Sequence, residues 1–188
     1  MRTLIVTAFV SLDGVMEAPG GEPNYRNTGW TFKDIEHVDE AYEIKGREQE
    51  EAAAMMMGRV SYEAFSPVWP DLEYFTTYNA LPKYVVSTTI QASDLVTNWG
   101  ETHILRSADD VATLKETEGG PIIIHGSARL GASLADAGLV DRYHLLVFPL
   151  LLGGGKRLFA DGDKTKLGLI EHAAYGNGIT LQRYDVVR

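Results

Sequence analysis

The sequence predicts an α/β sandwich: a mostly parallel sheet covered by helices, with an antiparallel C-terminal edge. Three observations predict it. Short runs rich in Val, Ile and Leu alternate with helix-periodic segments through most of the chain. Glycine-rich pieces fall between periodic segments and so read as turns. Near the end, Leu167 to Tyr175 and Ile179 to Val187 flank Gly176-Asn177-Gly178, a strong hairpin signal. With 188 residues and neither repeat nor linker, one domain over residues 1–188 is expected.

The elements follow in order. Leu4 to Val10 reads as a buried strand. Residues 14–30 carry four glycines and two prolines and read as a long loop, a length that is usually functional. Asp34 to Met56 is helix-like, with Ile35, Val38, Tyr42, Ala52, Met55 and Met56 toward the core. Its very polar middle, Lys45 to Glu51, is expected to face solvent, and the run Glu48-Gln49-Glu50-Glu51 reads as a solvated face. Ala54 to Met57 is expected to begin a short buried strand. Ser61 to Phe65 is a short helix ended by Ser66-Pro67. Lys83 to Ser87 and Thr102 to Leu105 are short strands. Ser107 to Asp110 opens a helix with a capping signature, and Gly119-Gly120-Pro121 stops it. Ile122 to Ile124 is a buried strand. Gly126 to Ala137 is a helix with Leu130, Leu134 and Ala137 on one face, closed by Gly138. Tyr143 to Phe148 is the next strand.

Composition narrows the function. Apolar residues make up 45% and charged residues 23%, an ordinary globular balance. The net charge of −9 argues against nonspecific nucleic-acid or anionic-membrane binding, which needs clustered cations. A small phosphorylated ligand needs only a local patch. The chain has no cysteine, which excludes disulfides, thiolate nucleophiles and cysteine zinc sites and fits a reducing cytoplasm. The first residues lack the features of a signal peptide, and Leu145 to Leu152 is too short to span a bilayer.

Three strand ends carry possible chemistry. In Ile122 to Gly131, a buried strand passes through a tight turn into a helix start, with Gly126, Ala128 and Gly131 at G-x-A-x-x-G spacing. Small residues admit a pyrophosphate, and free amides with the helix dipole favour the anion. An ordinary strand-to-helix turn would read the same way. The next strand, Tyr143 to Phe148, brings no carboxylate for ribose hydroxyls, so this is not a Rossmann unit. Gly58-Arg59-Val60-Ser61 is a second strand-to-helix turn, with Arg59 a bidentate partner for phosphate. Arginine without a ribose-binding acid favours NADP over NAD. Ser87-Thr88-Thr89 ends a third strand with three hydroxyls.

The segments MMMGRVSYEAF, LPKYVVSTT, IIIHGSARL and LVDRYHLLVFPLLLGGGKRLF, with SLDGVME near the start, occur in an order that resembles the dihydrofolate reductase-like family. That family includes the C-terminal reductase domain of riboflavin biosynthesis deaminase-reductases. The resemblance implies a three-layer dihydrofolate reductase-like sandwich of about eight strands and NADPH lying across the sheet. It implies that Gly58, Arg59 and Ser61, with Ser87, Thr88 and Thr89, hold the adenosine-side phosphates. Gly126, Ser127, Ala128 and Arg129 would hold the pyrophosphate, and Val10 to Met16 would lie near the nicotinamide. It also implies a homodimer, with the late apolar strands as interface. Dihydrofolate reductases proper place a carboxylate on the first helix. Trp30 and Asp34 lie near that region at a different spacing, so a substrate other than dihydrofolate is expected.

The expected reaction is hydride transfer to a small pteridine, pyrimidine or related heterocycle, with reduction of 5-amino-6-(5-phosphoribosylamino)uracil the specific form. Lys33, Lys156 or Arg157 would supply its phosphate site. Asp13 is the first candidate for substrate binding or proton supply, although Leu12-Asp13-Gly14 is also a turn signature. Asp34 is the second, and Trp30 is expected at the pocket wall. A non-catalytic NADPH sensor is the alternative. Gly153 to Arg157 lacks the spacing of a P-loop and reads as a loop over the site. His125 reads as a satisfied buried group, and the five histidines show no metal spacing.

Overall fold

The computed structural model describes residues 1–159 and 162–188. The first strand, β1 (Leu4–Ser11), is buried almost throughout. The long loop after it holds a one-turn helix, α1 (Trp30–Lys33). Helix α2 (Asp39–Glu51) leads into β2 (Ala54–Gly58), which turns directly into α3 (Arg59–Phe65). Two short 3-10 turns and α4 (Thr76–Ala80) precede β3 (Lys83–Val86). Then come β4 (Thr102–Leu105), α5 (Ala108–Glu116), β5 (Ile122–His125) and α6 (Ala128–Asp136). Strands β6 (Arg142–Phe148), β7 (Lys166–Ala174) and β8 (Thr180–Val187) finish the chain.

The eight strands form one sheet in the order β4-β3-β2-β5-β1-β6-β8-β7. The pairs from β4 to β6 are parallel; β6–β8 and β7–β8 are antiparallel. This is the expected mixed sheet, and Gly178 takes the left-handed φ of +84° that the hairpin turn requires. Because side chains alternate along a strand, β1 sends Leu4, Val6, Ala8 and Val10 to one face, where they pack with Val111 of α5 and Leu134 of α6. Ile5 packs on the opposite face with Tyr62, Phe65 and Trp69. Farther along that face, Ala41 and Ile44 of α2 and Trp30 of α1 pack on Leu146 and Phe148. The sheet is thus the middle of three layers.

Two expectations change. The helix anticipated from Asp34 to Met56 is confined to residues 39–51. Val38 before it and Ala52 after it are extended, and Asp39 and Glu40 suit the positive end of the helix dipole. The polar middle faces solvent only in part, through Gly46, Arg47, Glu50 and Glu51. Lys45, Glu48 and Gln49 are buried, because Ala41, Ile44, Lys45 and Glu48 share one helical face at i, i+3, i+4 and i+7. Among the described residues, no helix is long and apolar enough to cross a membrane.

Candidate functional site

The β2 and β5 strand ends are joined into one structure. The Gly58 amide donates to Ser127 Oγ at 3.0 Å. Ser127 Oγ donates to Ser61 Oγ at 2.9 Å, and Ser61 Oγ lies 3.1 Å from the Gly126 carbonyl. Ser127 occupies the N-cap position of α6 but does not cap it, since its hydroxyl is turned toward β2. The first amides of α6 therefore receive no side-chain cap, and the helix dipole adds to their attraction for an anion. Gly126 is fixed by conformation and by space. Its φ is +62°, and an added Cβ would meet the Phe65 ring at 2.7 Å.

The third strand end adds hydroxyls and a second arginine. Ser87 Oγ accepts from the amides of Thr89 and Ile90, both at 3.1 Å, which folds the turn over the end of β3. Thr88 and Thr89 are exposed. Arg106, at the end of β4, donates to the carbonyls of Ser87 and Ile90, both at 2.8 Å. Arg59 lies exposed at the start of α3 and pairs with Glu63 at 2.8 Å. Arg129 is exposed on the first turn of α6. The strand order brings β3, β2 and β5 side by side with their carboxyl ends on one edge, so these three turns are neighbours. Gly58, Ser61, Gly126, Ser127 and Ala128 form the floor of that edge, and Arg59, Arg106 and Arg129 supply cations. Arg106 escapes a reading of the sequence because only the β3–β4 pairing places it there.

The candidates in the early loop have other occupations. Asp13 accepts from Ser11 Oγ at 2.5 Å and from the amides of Leu152 and Gly153 at 3.1 and 2.8 Å. The Ser11 hydroxyl first, and those two amides, outweigh partial burial and hold its carboxyl down to about 2. It is an anion at neutral pH and fastens the β1 turn to the glycine-rich loop. Trp30 does not wall a pocket. It is fully buried, edge-on to Phe148, and its indole N–H donates to the Glu17 carbonyl at 2.8 Å. Asp34 is exposed at the C-terminus of α1, away from these contacts. Of the phosphate-site candidates, Lys156 pairs with Glu17 at 2.8 Å, Lys33 donates to the Thr28 carbonyl, and Arg157 lies 3.8 Å from Asp13.

A buried polar row crosses the sheet centre beneath α2. Strand register sets Thr7 between His125 and His144, and His144 beside Arg183, which donates to Glu171 at 2.6 Å. From α2, Glu48 accepts from Thr7 Oγ1 at 2.7 Å and from His144 Nδ1 at 2.9 Å. Lys45 Nζ lies 2.5 Å from Thr7 Oγ1 and 3.2 Å from Glu48. Burial opposes charge on Glu48, but Lys45 and the His144 hydrogen bond outweigh it and hold the carboxyl at about 2. Burial keeps His144 neutral, so its Nδ1 carries the proton that Glu48 accepts. Although part of its surface stays exposed, the apolar rings packed around His125, aided by Lys45, push it down to about 4. One signal of this row was in the sequence: Thr7 and His144 interrupt otherwise apolar strands.

Strands β1 and β5 pair only as far as Thr7 and His125; beyond that β5 turns away at Gly126 while β1 runs on beside β6. The end of the polar row at His125 thus adjoins the Gly126 turn. The model of the RibD C-terminal domain family matches residues 2–181. The chain belongs to that family. A structure from Shewanella sp. PV-4, described as a candidate riboflavin biosynthesis protein, aligns over 99% of both chains at TM-score 0.78 and 20% identity. The RibD of Acinetobacter baumannii aligns at TM-score 0.68 and 15% identity, with all of this chain covering 58% of that one. Dihydrofolate reductase from Enterococcus faecalis, complexed with NADP(H) and RAB-propyl, aligns over 99% of this chain and 97% of that chain at TM-score 0.59 and 13% identity. In sequence, the chain is 26% identical to the uncharacterized protein YyaP of Bacillus subtilis, over 95% of this chain and 92% of the relative. The RibD C-terminal domain therefore stands here with the expected dihydrofolate reductase-like sandwich.

Proposed function

We propose that this RibD C-terminal domain is an NADPH-dependent reductase of a small pteridine- or pyrimidine-type heterocycle. One observation carries the reading. The β2 and β5 turns are hydrogen-bonded into one floor, under an uncapped α6 start and beside the β3 hydroxyls, an arrangement that suits an anion. Residues Gly58 to Ser61, Ser87 to Thr89 and Gly126 to Arg129 would hold the dinucleotide, with Arg59 on its 2′-phosphate and Arg106 beside it. When bound there, NADPH supplies the hydride; the protein supplies orientation and a dry pocket. Reduction of 5-amino-6-(5-phosphoribosylamino)uracil is the specific form of this proposal, and the cytoplasm is its proposed setting.

Titration with NADPH and NADH, in wild type and in Arg59→Ala, tests the cofactor assignment. Loss of a charge-assisted hydrogen bond costs about 1.5–3 kcal/mol, or roughly 10- to 100-fold in affinity. Arg59→Ala should lose that much NADPH affinity and leave NADH binding unchanged. If wild type binds both dinucleotides equally, the 2′-phosphate assignment fails. Tight NADPH binding without turnover of any offered heterocycle would favour the sensor instead.

We also propose a homodimer through the late strands. Leu169 and Ile170 of edge strand β7 are 51% and 45% exposed, apolar surface that a partner copy would cover. Native mass measurement should give twice the chain mass; a monomer at micromolar concentration would refute the proposal.

A further inference from the structure

The loop carboxylates leave the proton for the reaction unassigned, since Asp13 is committed to its turn and Asp34 lies exposed elsewhere. We propose that Lys45 of α2, held by Glu48 and Thr7, is the polar end of the substrate pocket and delivers that proton. The proposal rests on the reductase reading above.

Its first support is a comparison among the buried lysines. Lys45, Lys83 and Lys115 are 5%, 0% and 3% exposed. Lys83 donates to the carbonyls of Tyr78, Asn79 and Leu81, and so closes a loop. Lys115 donates to the Leu139 carbonyl and pairs with Asp141, joining α5 to the start of β6. Lys45 has no backbone carbonyl among its described partners. It meets a hydroxyl and a carboxylate in the middle of the sheet, where its ammonium also lies 4.9 Å from the centre of the Phe9 ring. A buried ion pair is weak evidence for stability, since an apolar pair of similar shape usually serves as well. A function explains its place better.

The second support is what surrounds the pair. Phe9 and His125, on either side of the β1–β5 divergence, are only half-buried. The His125 ring meets Trp69 and Tyr78 edge-on at 5.2 and 5.7 Å. Tyr78 Oη is buried and finds no partner among the described residues. Gln49 of α2 donates to the Tyr74 carbonyl at 3.1 Å, which ties α2 to the segment before α4. A polar end beside the half-buried Phe9 and His125 rings, with an unpartnered hydroxyl behind them, suits a flat heterocycle bearing a reducible C=N or C=O bond.

The step balances with NADPH as reductant. The substrate carbon gains a hydride, and the dinucleotide loses its two electrons. The π bond opens, its electron pair goes to nitrogen or oxygen, and that atom takes a proton from Lys45 Nζ. Lys45 is left as a neutral amine and regains its proton from solvent after product leaves.

Two experiments test this. The first needs no substrate: reductive methylation of the wild-type chain with formaldehyde and cyanoborohydride, read by peptide mass spectrometry, with Lys83 and Lys115 as internal controls. Lys45 should react at least tenfold faster than either, and saturating NADPH should slow it threefold or more without changing the controls. If Lys45 is as inert as the controls, or indifferent to NADPH, the proposal is wrong. The second uses NADPH with 5-amino-6-(5-phosphoribosylamino)uracil or dihydrofolate. Lys45→Met should lower kcat about 10²- to 10⁴-fold, with NADPH Kd within threefold of wild type. Lys45→Met/Glu48→Gln, which buries no lone charge, should be folded and equally slow. A folded double variant with kcat within threefold of wild type overturns the proton donor.

Discussion

Glu48→Ala should be the most destabilising single substitution in α2, by about 3–5 kcal/mol, because it strands Lys45 as a lone charge at the sheet centre. It also removes the acceptor of Thr7 and His144. Urea unfolding at pH 7 measures the loss. Lys45→Met/Glu48→Leu should recover most of it, since the cost lies in the uncompensated charge and not in missing attraction. A single variant as stable as wild type would show that the pair is not buried in solution. The same residue sets an acid limb. Its folded value near 2 lies below the ordinary 4.5, so its contribution is present above about pH 4.5 and is lost as the pH falls toward 2. Glu48→Gln should flatten stability across that window.

Gly126→Ala should damage both stability and cofactor binding. A side chain at φ +62° costs about 1–2 kcal/mol. Pressing its Cβ against the Phe65 ring, 2.7 Å away, adds about 1–3 kcal/mol of crowding. The Gly126 carbonyl lies against Ser61 Oγ, so strain at this turn reaches the α3 start as well. Thermal unfolding and NADPH titration together should register the change. A variant with unaltered melting and unaltered NADPH affinity would remove Gly126 from the proposed floor. Gly138→Ala is the control for conformation alone. It shares a φ of +68°, yet nothing lies within 4 Å of its added Cβ.

Much of this could be read along the chain. Strand β5 and its turn were legible because Ile122 to Ile124 is uniformly apolar and Gly126 follows at once. The β7–β8 hairpin was legible because Gly-Asn-Gly leaves few other conformations. The segment from Trp69 to Ala80 was not. Its 3-10 turns and five-residue helix are too short to show a period, and packing around Trp69 and Tyr78 holds them. Helix α2 misled for a different reason. A run of charges reads as solvated by composition, but the helical period had already put Lys45 and Glu48 on the face of Ala41 and Ile44.

By itself the sequence determined the alternation of elements, the absence of thiol chemistry and the three strand ends proposed to hold a dinucleotide. Those are local properties, set by residue type, spacing and turn conformation. Only the tertiary structure decided which polar residues meet. Thr7, Lys45, Glu48 and His144 come from two strands and a helix, up to 137 positions apart. They converge because parallel pairing brings β1 and β6 into register and α2 packs across them. It also decided that Asp13 fastens a turn and that Trp30 lies in the core, since burial and hydrogen-bond partners belong to the folded chain.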